Sequence, residues 1–238
     1  MQNRRGLFAG MQSGRLSGFV PYKGTKDLPN AGRISRFIRN FVDMKVALCQ
    51  FSMEWEAAAR NLRRAEELVA QAGADLALLP EMFATGFVTE PWRTALPDEE
   101  ELLAWMRRTA RRYATALAGS AVVRSGDRFA NRFFFVRPAG GAERYDKRHL
   151  FSIGGEDAHF VAGRRRVVVE YGGLRFLPLV CYDLRFPVWC RCHSDYDAIL
   201  CVASWPAPRR EVWRTLLRAR AIENQCYVVG VNRTGDDP

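Results

Sequence analysis

The sequence predicts a single α/β domain built around a mixed β-sheet. Short apolar segments typical of strands alternate with segments whose apolar residues recur at helical spacing, and glycine-containing turns insert hairpins into this alternation. The chain has 238 residues, of which 48% are hydrophobic, enough for one large buried core. No Pro/Gly/Ser-rich linker interrupts it after residue 44. We therefore expect one domain over residues 44–238, preceded by a basic leader over residues 1–43.

The first half of this domain predicts two helices and four strands. Leu62, Ala65 and Leu68 recur at helical spacing and mark the first helix, whereas Asp98 stands in the N-cap region of the second. Gly126 suits a turn between the last two strands. The expected elements are a strand over Lys45–Phe51, a helix over Glu54–Gln71, a strand over Asp75–Leu79, a helix from Asp98 to about Tyr113, and strands over Ala116–Val123 and Phe129–Val136.

The second half predicts a hairpin followed by a strand and helix alternation. Gly172 and Gly173 suit the hairpin turn. The expected elements are paired strands near Arg166–Glu170 and Leu174–Val180, a helix after Pro187, a strand over Ala198–Val202, a helix over about Pro208–Asn224, and a last strand over Cys226–Val231.

Three chemically versatile side chains come at or just beyond the ends of these strands. Glu81 follows an apolar run that stops at Pro80, Lys147 follows Tyr145-Asp146, and Cys181 follows the run that ends at Val180. Functional side chains in α/β sheets collect where strands end. We therefore expect Glu81, Lys147 and Cys181 to converge in one pocket.

The net charge of +10 does not by itself indicate a nucleic-acid or membrane partner. Residues 1–43 hold eight basic and two acidic side chains, so they carry +6 of that charge and leave +4 for the rest. A charge of +4 is ordinary for the solvated surface of an enzyme, and arginines 107, 108, 111 and 112 fall at helical spacing on one polar face. We expect no nucleic-acid partner.

The cysteine content and the N-terminus bear on the compartment. Six cysteines in a chain of this size are not the dense framework of a small secreted domain, so a reduced, cytoplasmic setting is expected. No apolar run is long enough for a membrane span, and the N-terminus lacks the apolar core of a signal peptide. The Arg-rich leader resembles an organellar transit peptide, but Met44 opening directly into a strand favours a start there, with residues 1–43 disordered or wrongly assigned.

The corner at Cys181 suits a nucleophile. A strand running into a helix exposes the first side chain of the turn and directs backbone N–H groups at it. Taken alone, a cysteine after a strand is more often a small buried hydrophobe. A nearby carboxylate such as Glu81 can take the thiol proton and return it to a leaving amine, and an ammonium such as Lys147 can stabilise an oxyanion. The alternative without catalysis is that Lys147 is a solvated surface lysine and Glu81 a loop carboxylate.

Three blocks around these residues resemble the signature blocks of the nitrilase superfamily of carbon–nitrogen hydrolases. They are Leu78-Leu79-Pro80-Glu81-Met82-Phe83, Tyr145-Asp146-Lys147-Arg148-His149-Leu150-Phe151 and Val180-Cys181-Tyr182-Asp183-Leu184-Arg185-Phe186-Pro187, in the family's order. The resemblance covers about residues 44–238. It implies a Glu-Lys-Cys triad at Glu81, Lys147 and Cys181, a four-layer α-β-β-α sandwich and a thioester acyl-enzyme. It implies no metal and no organic cofactor.

Finer features resemble the ω-amidase branch, which releases ammonia from ω-amides of 2-oxo dicarboxylic acids such as 2-oxoglutaramate and 2-oxosuccinamate. The segments that carry this resemblance are 81–87, 149–156, Ala203-Ser204-Trp205-Pro206 and 218–225. By similarity, Glu156 is a second active-site glutamate that positions the substrate. The backbone N–H of Tyr182 joins Lys147 in an oxyanion hole.

The same resemblance suggests a compact substrate pocket. Phe83, Phe87 and Trp205 are expected to line it, and the alternative for these aromatics is simple core packing. Arg185 is a candidate for binding a substrate carboxylate. The alternative is a structural ion pair with Asp183, and the residues leave both interpretations open.

The sequence departs from the family pattern in two places. Family members usually continue beyond Asn232-Arg233-Thr234-Gly235 with further strands and an arm exchanged across a homodimer, whereas this chain stops at Pro238. We expect a C-terminally truncated domain with unpaired sheet edges, and a homodimer if that part were complete. Ser204 stands where the branch commonly has asparagine.

Other functions remain in competition at this point. Cys190, Cys192 and His193 form a conceivable metal site, although their spacing is not that of a zinc motif. A truncated, inactive homologue acting as a binding or structural subunit keeps the fold and loses the chemistry. Within the enzyme class, a carbamoylase or a deaminated-glutathione amidase is the nearest alternative.

Overall fold

The computed structural model describes residues 44–93 and 98–235 of the chain. The predicted leader over residues 1–43 lies outside the described residues, as does the end of the chain at Pro238. In the described part, none of the helices combines the length and the apolar character needed to cross a bilayer.

The strands form two separate sheets, each of them mixed. The first has five strands in the order β1-β2-β3-β4-β5, and the second has four in the order β6-β7-β8-β9. The strands are β1 (Val46–Leu48), β2 (Leu76–Leu78), β3 (Ala116–Ser125), β4 (Arg128–Val136), β5 (Ala142–Asp146), β6 (Val169–Tyr171), β7 (Leu174–Val180), β8 (Ala198–Ala203) and β9 (Tyr227–Asn232). In the first sheet β1, β2 and β3 are parallel and the rest antiparallel. In the second, β6 is antiparallel to β7, and β7, β8 and β9 are parallel.

Three long helices and two single-turn helices accompany the sheets. They are α1 (Ala58–Ala72), α2 (Glu99–Tyr113), α3 (Glu156–His159), α4 (Pro187–Cys190) and α5 (Arg210–Asn224). Short 3₁₀ helices over Pro91–Arg93, Ser152–Gly154, Cys181–Arg185 and Ala207–Arg209 connect them to the strands.

The apolar side chains divide into layers that confirm the four-layer α-β-β-α sandwich. An inner core between the sheets contains Phe133 and Phe135 of β4 together with Phe176 of β7. One outer core joins α1 and α2 to the first sheet, and the other joins α5 to the second through Trp213 and Leu217. The expectation of one mixed sheet, drawn from the order of elements, is wrong, because that order does not specify which strands pair.

Local chemistry explains where the elements differ from their predicted bounds. The first helix begins at Ala58 and not at Glu54, because the side chain of Asn61 occupies both backbone groups of Glu54, at 2.9 Å and 2.6 Å. The second begins as predicted, since the Asp98 carboxylate accepts the N–H of Glu100 at 2.7 Å. Strand β5 and the short helix α3 were not predicted.

The topology brings several strand ends to one end of the molecule. Strand β4 is antiparallel to both β3 and β5, and β3 is parallel to β2, so β5 runs in the same direction as β2. In the second sheet β7 and β8 are parallel neighbours. The Glu81 N–H donates to the carbonyl of Ala203 at 3.4 Å, which shows that the ends of β2 and β8 meet across the sandwich.

Candidate active site

The structure brings Glu81, Lys147 and Cys181 together at this shared end of the strands. Glu81 lies on the turn three residues beyond β2, Lys147 directly follows β5, and Cys181 directly follows β7. Lys147 also extends the pairing of β5, since its N–H donates to the carbonyl of Asn131 on β4 at 2.9 Å. Residues far apart in the sequence are thus fixed by regular backbone structure.

Lys147 is the centre of the cluster. Its side chain is 0% exposed, and its Nζ lies 2.8 Å from Glu81 Oε1 and 2.8 Å from Glu156 Oε2. Burial alone lowers the pKa of this ammonium, but the carboxylates of Glu156 and Glu81 more than offset that effect, so the pKa lies above its ordinary value. Lys147 is therefore protonated at neutral pH, although its side chain is completely buried.

Both oxygens of Glu81 are held in place. Oε1 accepts hydrogen bonds from Lys147 Nζ and from Asn131 Nδ2, each at 2.8 Å, and Oε2 accepts the N–H of Ser204 at 2.9 Å. Because the Ser204 donor is a backbone group, this bond does not depend on the departure from asparagine at position 204. The carboxylate is also close enough to the Cys181 thiol to raise its pKa.

Glu156 lies at the start of α3 and holds the same ammonium from the other side. Its Oε2 accepts the N–H of Phe151 at 2.7 Å in addition to Lys147, and its Oε1 accepts Asn131 Nδ2 at 3.0 Å. One amide group thus donates to both carboxylates. The sequence analysis missed Asn131, and its signal was an amide side chain in a strand otherwise rich in aromatic residues.

Cys181 occupies a strained corner. Its φ is +48°, a left-handed backbone conformation that non-glycine residues rarely adopt, and the 3₁₀ helix Cys181–Arg185 begins there. The Asp183 carboxylate accepts the N–H of Val180 at 3.1 Å and so braces the turn. Tyr182 is the second residue of this helix, where a backbone N–H has no intrahelical acceptor. The corner therefore presents a thiol beside an available N–H group.

The thiol of Cys181 is not activated at rest. Burial and the neighbouring Glu81 carboxylate raise its pKa well above the ordinary value, while the Lys147 ammonium acts in the opposite direction. At neutral pH the sulfur therefore keeps its proton, and a base has to remove that proton during attack. Glu81 is the carboxylate in contact with it.

Asp183 joins the thiol corner to the lysine strand. Its carboxylate accepts Tyr145 Oη at 2.7 Å and the backbone N–H of His149 at 2.9 Å, and it lies 2.8 Å from His149 Nδ1. Tyr145 and His149 stand two residues before and two residues after Lys147. This network fixes Lys147 relative to Cys181, although Asp183 contacts neither the Nζ of Lys147 nor the Sγ of Cys181. Of the two interpretations left open for Arg185, the ion pair with Asp183 is not formed, because Tyr145, His149 and Val180 occupy the carboxylate.

An aromatic wall leads from Lys147 outwards. Lys147 Nζ lies 5.8 Å from the ring centre of Phe87, the rings of Phe87 and Phe151 are 6.5 Å apart, and those of Phe151 and Tyr182 are 5.3 Å apart. Phe87 therefore lies beside the Lys147 ammonium, and its role in lining a substrate pocket stays a prediction. Phe151 was not predicted as a wall residue.

The other two predicted pocket aromatics have different surroundings. Phe83 is completely buried in the outer core, 5.9 Å from Trp105, so the alternative of core packing describes its position. Trp205 packs 5.3 Å from Trp213 in the other outer core, and the guanidinium carbon of Arg185 lies 5.0 Å from its ring centre. Arg185 also lies 5.8 Å from the ring centre of Tyr182.

The alternative of a metal site at Cys190, Cys192 and His193 finds no support. The two sulfurs contact different carbonyls, those of Asp183 and Tyr196. Over residues 44–93 and 98–235, no group of three or more His, Cys, Asp or Glu side chains could hold a metal ion. All six cysteines are free thiols.

Taken together, the site contains the groups needed for acyl transfer through a thiol. A protonated nucleophile lies beside a buried carboxylate, and a permanent cation lies beside the position where negative charge would develop on a carbonyl oxygen. Such a site fits a small carbonyl compound with a nitrogen leaving group.

Comparison with known proteins places the chain among enzymes of this kind. A family model described as carbon–nitrogen hydrolase matches residues 45–237. Omega-amidase YafV of Yersinia enterocolitica is 49% identical over 195 residues, which are 82% of this chain and 76% of that protein. The 2-oxoglutaramate amidase of Bacillus subtilis is 33% identical over 81% of this chain and 77% of its own length.

A solved structure shows the same fold. XC1258 from Xanthomonas campestris, described as a CN-hydrolase superfamily protein with an arsenic adduct in the active site, superposes with a TM-score of 0.77. It is 42% identical, and the match covers 81% of this chain and 76% of that one.

Proposed function

Because the chain belongs to the carbon–nitrogen hydrolase family, we propose that it releases ammonia from the ω-amide of a small 2-oxo dicarboxylic acid, such as 2-oxoglutaramate or 2-oxosuccinamate. The chain is a hydrolase of carbon–nitrogen bonds other than peptide bonds. The observation that carries the proposal is the buried contact of Lys147 with Glu81, at 2.8 Å, beside the thiol of Cys181.

In the first half of the proposed reaction, the Cys181 sulfur attacks the amide carbon while Glu81 takes the thiol proton. The oxyanion that forms is stabilised by the Lys147 ammonium and by the backbone N–H of Tyr182. The carbon–nitrogen bond then breaks, and Glu81 passes its proton to the departing nitrogen. Ammonia leaves, and the acyl group remains on Cys181 as a thioester.

In the second half, water replaces ammonia beside Glu81. The carboxylate takes a proton from water as the oxygen attacks the thioester carbon, and Lys147 and Tyr182 again face the oxyanion. The carbon–sulfur bond breaks, and the proton returns from Glu81 to the sulfur. Amide and water are thereby converted into carboxylic acid and ammonia, with the enzyme restored. Glu156 holds Lys147 in position throughout, at 2.8 Å.

Two observations support the proposed substrate class. The relatives named as omega-amidase and 2-oxoglutaramate amidase match more than four fifths of this chain. The aromatic wall formed by Phe87, Phe151 and Tyr182 favours a short substrate over a protein or a nucleic acid. A cytoplasmic location and a homodimer, both expected from the sequence, stay predictions.

Ammonia release tests the proposal directly. The protein is incubated with 2-oxoglutaramate or 2-oxosuccinamate, and ammonia is measured alongside the 2-oxo dicarboxylate product. We expect turnover by the unchanged chain and none by Cys181→Ala. Mass spectrometry of rapidly quenched mixtures should show the acyl group on the peptide that contains Cys181. The matched control is Cys192→Ala, which removes another half-buried thiol, one that contacts the Tyr196 carbonyl, and should retain turnover.

Different failures have different meanings. Turnover by folded Cys181→Ala would refute the proposed nucleophile. Turnover of N-carbamoyl compounds or of deaminated glutathione in place of the two ω-amides would move the chain to a neighbouring branch of the family. A folded chain that hydrolyses none of these compounds would favour the inactive homologue.

A further inference from the structure

Arg209 packs against Phe151, one ring of the aromatic wall. It ends the 3₁₀ helix Ala207–Arg209, immediately before α5, and its carbonyl accepts the indole N–H of Trp205 at 2.9 Å, which fixes the backbone. Its guanidinium carbon lies 5.3 Å from the ring centre of Phe151. The side chain is only partly exposed. The sequence analysis gave Arg209 no role.

Short contacts connect the ring under Arg209 to the proposed catalytic groups. The N–H of Phe151 donates to Glu156 Oε2 at 2.7 Å, and the same oxygen lies 2.8 Å from Lys147 Nζ. The ring of Phe151 lies 5.3 Å from that of Tyr182, the neighbour of Cys181. Arg209 therefore packs against the middle ring of the wall, and that ring contacts Tyr182, the residue next to Cys181.

Arg185 flanks the same wall, and the charge of both arginines is unbalanced. Within residues 44–93 and 98–235, neither guanidinium forms an ion pair, whereas Arg175 and Arg132 are paired with Asp197 and Asp146 at 2.6 Å. A partly buried guanidinium without a counter-ion is complementary to an anion brought by a ligand. Its planar fork matches the two oxygens of a carboxylate.

We infer that Arg209 binds the carboxylate of the substrate, at the end of the substrate remote from the amide. Arg209 lies on the same aromatic wall as Arg185. The inference rests on the proposed function, because it needs the amide to be held at Cys181. It makes the substrate class an acid that carries an amide at its far end, and it makes Arg209 a specificity-determining residue. An amide without a carboxylate would enter the pocket but gain nothing from Arg209.

A pair of substrates of equal length tests this role. Succinamate and butyramide share the amide and the chain length, and they differ in a carboxylate in place of a methyl group. We expect Arg209→Gln to lower kcat/KM for succinamate on the order of 10- to 100-fold, mainly through KM, and to leave kcat/KM for butyramide unchanged. Arg209→Lys should fall between, since it keeps the charge and loses the fork.

The neighbouring arginine provides the matched control. Arg210 is exposed and lies 3.7 Å from Glu211, so Arg210→Gln removes the same charge one residue away from the wall. It should change kcat/KM for neither substrate. Equal losses on succinamate and butyramide for Arg209→Gln would assign a structural role to Arg209 and overturn the inference, as would an unchanged KM for succinamate.

A binding measurement separates this inference from the proposed function. In the Cys181→Ala background, calorimetry with succinamate should show affinity weakened on the order of 10-fold or more by Arg209→Gln. If the unchanged chain hydrolyses no amide, the proposed function fails, whereas the binding comparison still decides the role of Arg209. Equal affinity in the two proteins would overturn that role whatever the activity.

Discussion

Two clusters of charge lie on opposite faces of the same pair of strands. Asn131 of β4 and Lys147, the residue directly after β5, face the space between the sheets, where Lys147 meets Glu81 and Glu156. Their neighbours Arg132 and Asp146 face the helix side. Side chains alternate between the faces of a strand, so adjacent charged residues are sent to opposite environments.

The two clusters differ in burial, and this decides what each contributes. The inner cluster is closed to solvent, whereas the side chains of Arg132 and Asp146 are 18% and 29% exposed. Arg132 forms a two-pronged pair with Asp146 at 2.6 Å and 2.9 Å and also contacts Glu99 at the start of α2. Burying charged groups costs free energy, so the burial of the inner cluster is explained by its proposed catalytic role and not by a gain in stability. The outer cluster instead joins a helix to the edge of a sheet.

Removing the inner cation should have the largest effect. Lys147→Met removes an oxyanion donor, which lowers kcat by about 10²–10³ or more, and leaves two carboxylates buried without a counter-ion, which costs about 3–5 kcal/mol of stability. Kinetics and denaturant unfolding at neutral pH measure both losses. Lys45→Met, at an exposed position on the chain leading into β1, is the control and should change neither.

The same variant makes a prediction about pH. Because the folded pKa of Lys147 is raised, its stabilising contribution is fully present below the unfolded pKa of about 10.4 and is lost as pH rises through and above that value. The stability gap between the unchanged chain and Lys147→Met should therefore narrow above about pH 10.4. A gap that stays constant to higher pH would contradict the raised pKa.

The two carboxylates of the inner cluster should not be equivalent. Glu81→Gln and Glu156→Gln each remove one charge 2.8 Å from Lys147, but Glu81 is also the carboxylate that raises the pKa of the Cys181 thiol. We expect Glu81→Gln to lower kcat by about 10²–10⁴, the usual contribution of a general base, and Glu156→Gln to lower it less. Glu81→Gln should also lower the pKa of Cys181, since the carboxylate raises it.

The pKa of the thiol is measured from the ultraviolet absorbance of the thiolate during a pH titration, with Cys181→Ala as the blank. A variant whose sulfur ionises more easily but reacts more slowly would identify Glu81 as the base. Equal kinetic losses in the two glutamine variants would instead assign both carboxylates to holding Lys147.

Sequence patterns predict the inner cluster and the start of a helix better than they predict the pairing of strands. The family blocks predict the meeting of Glu81, Lys147 and Cys181, and the N-cap at Asp98 predicts the start of α2. The alternation of elements did not predict two sheets, because strand pairing is decided by contacts between distant residues. Strand β5 was missed because Ala142–Asp146 has no run of apolar residues.

Side-chain partners are the least predictable feature. The sequence places Asp183 two residues from Arg185 and leaves an ion pair between them open, yet the carboxylate turns towards Tyr145 and His149, 38 and 34 residues away. Asn131 was missed because its function is to donate to two carboxylates brought from other elements, and the sequence of β4 alone does not identify those partners. Neither arrangement follows from local spacing.

Replacing Asp183 should lower stability and kcat by amounts between those expected for the inner and the outer cluster, because Asp183 holds the residues on either side of Lys147 without contacting the lysine itself. Asp183→Asn keeps one acceptor oxygen and weakens the bonds to Tyr145, His149 and Val180, which should cost about 1–3 kcal/mol and roughly tenfold in kcat. Asp197→Asn is the matched control. It breaks a pair with Arg175 at 2.6 Å and should leave kcat unchanged. An unchanged kcat in Asp183→Asn would show that Lys147 keeps its position without this brace.

The outer cluster should give the smallest effect. Arg132→Gln removes its contacts with Asp146 and Glu99, and partly exposed pairs of this kind contribute at most about 1 kcal/mol each. A double-mutant cycle with Asp146→Asn measures the coupling, which should weaken at high salt because the pair is reached by solvent ions. The ammonia-release rate should be unchanged, since both side chains point away from Lys147. A reduced rate with normal stability would mean that the two faces of β4 and β5 are coupled, because a shift in the backbone at Arg132 displaces Asn131 and with it both glutamates.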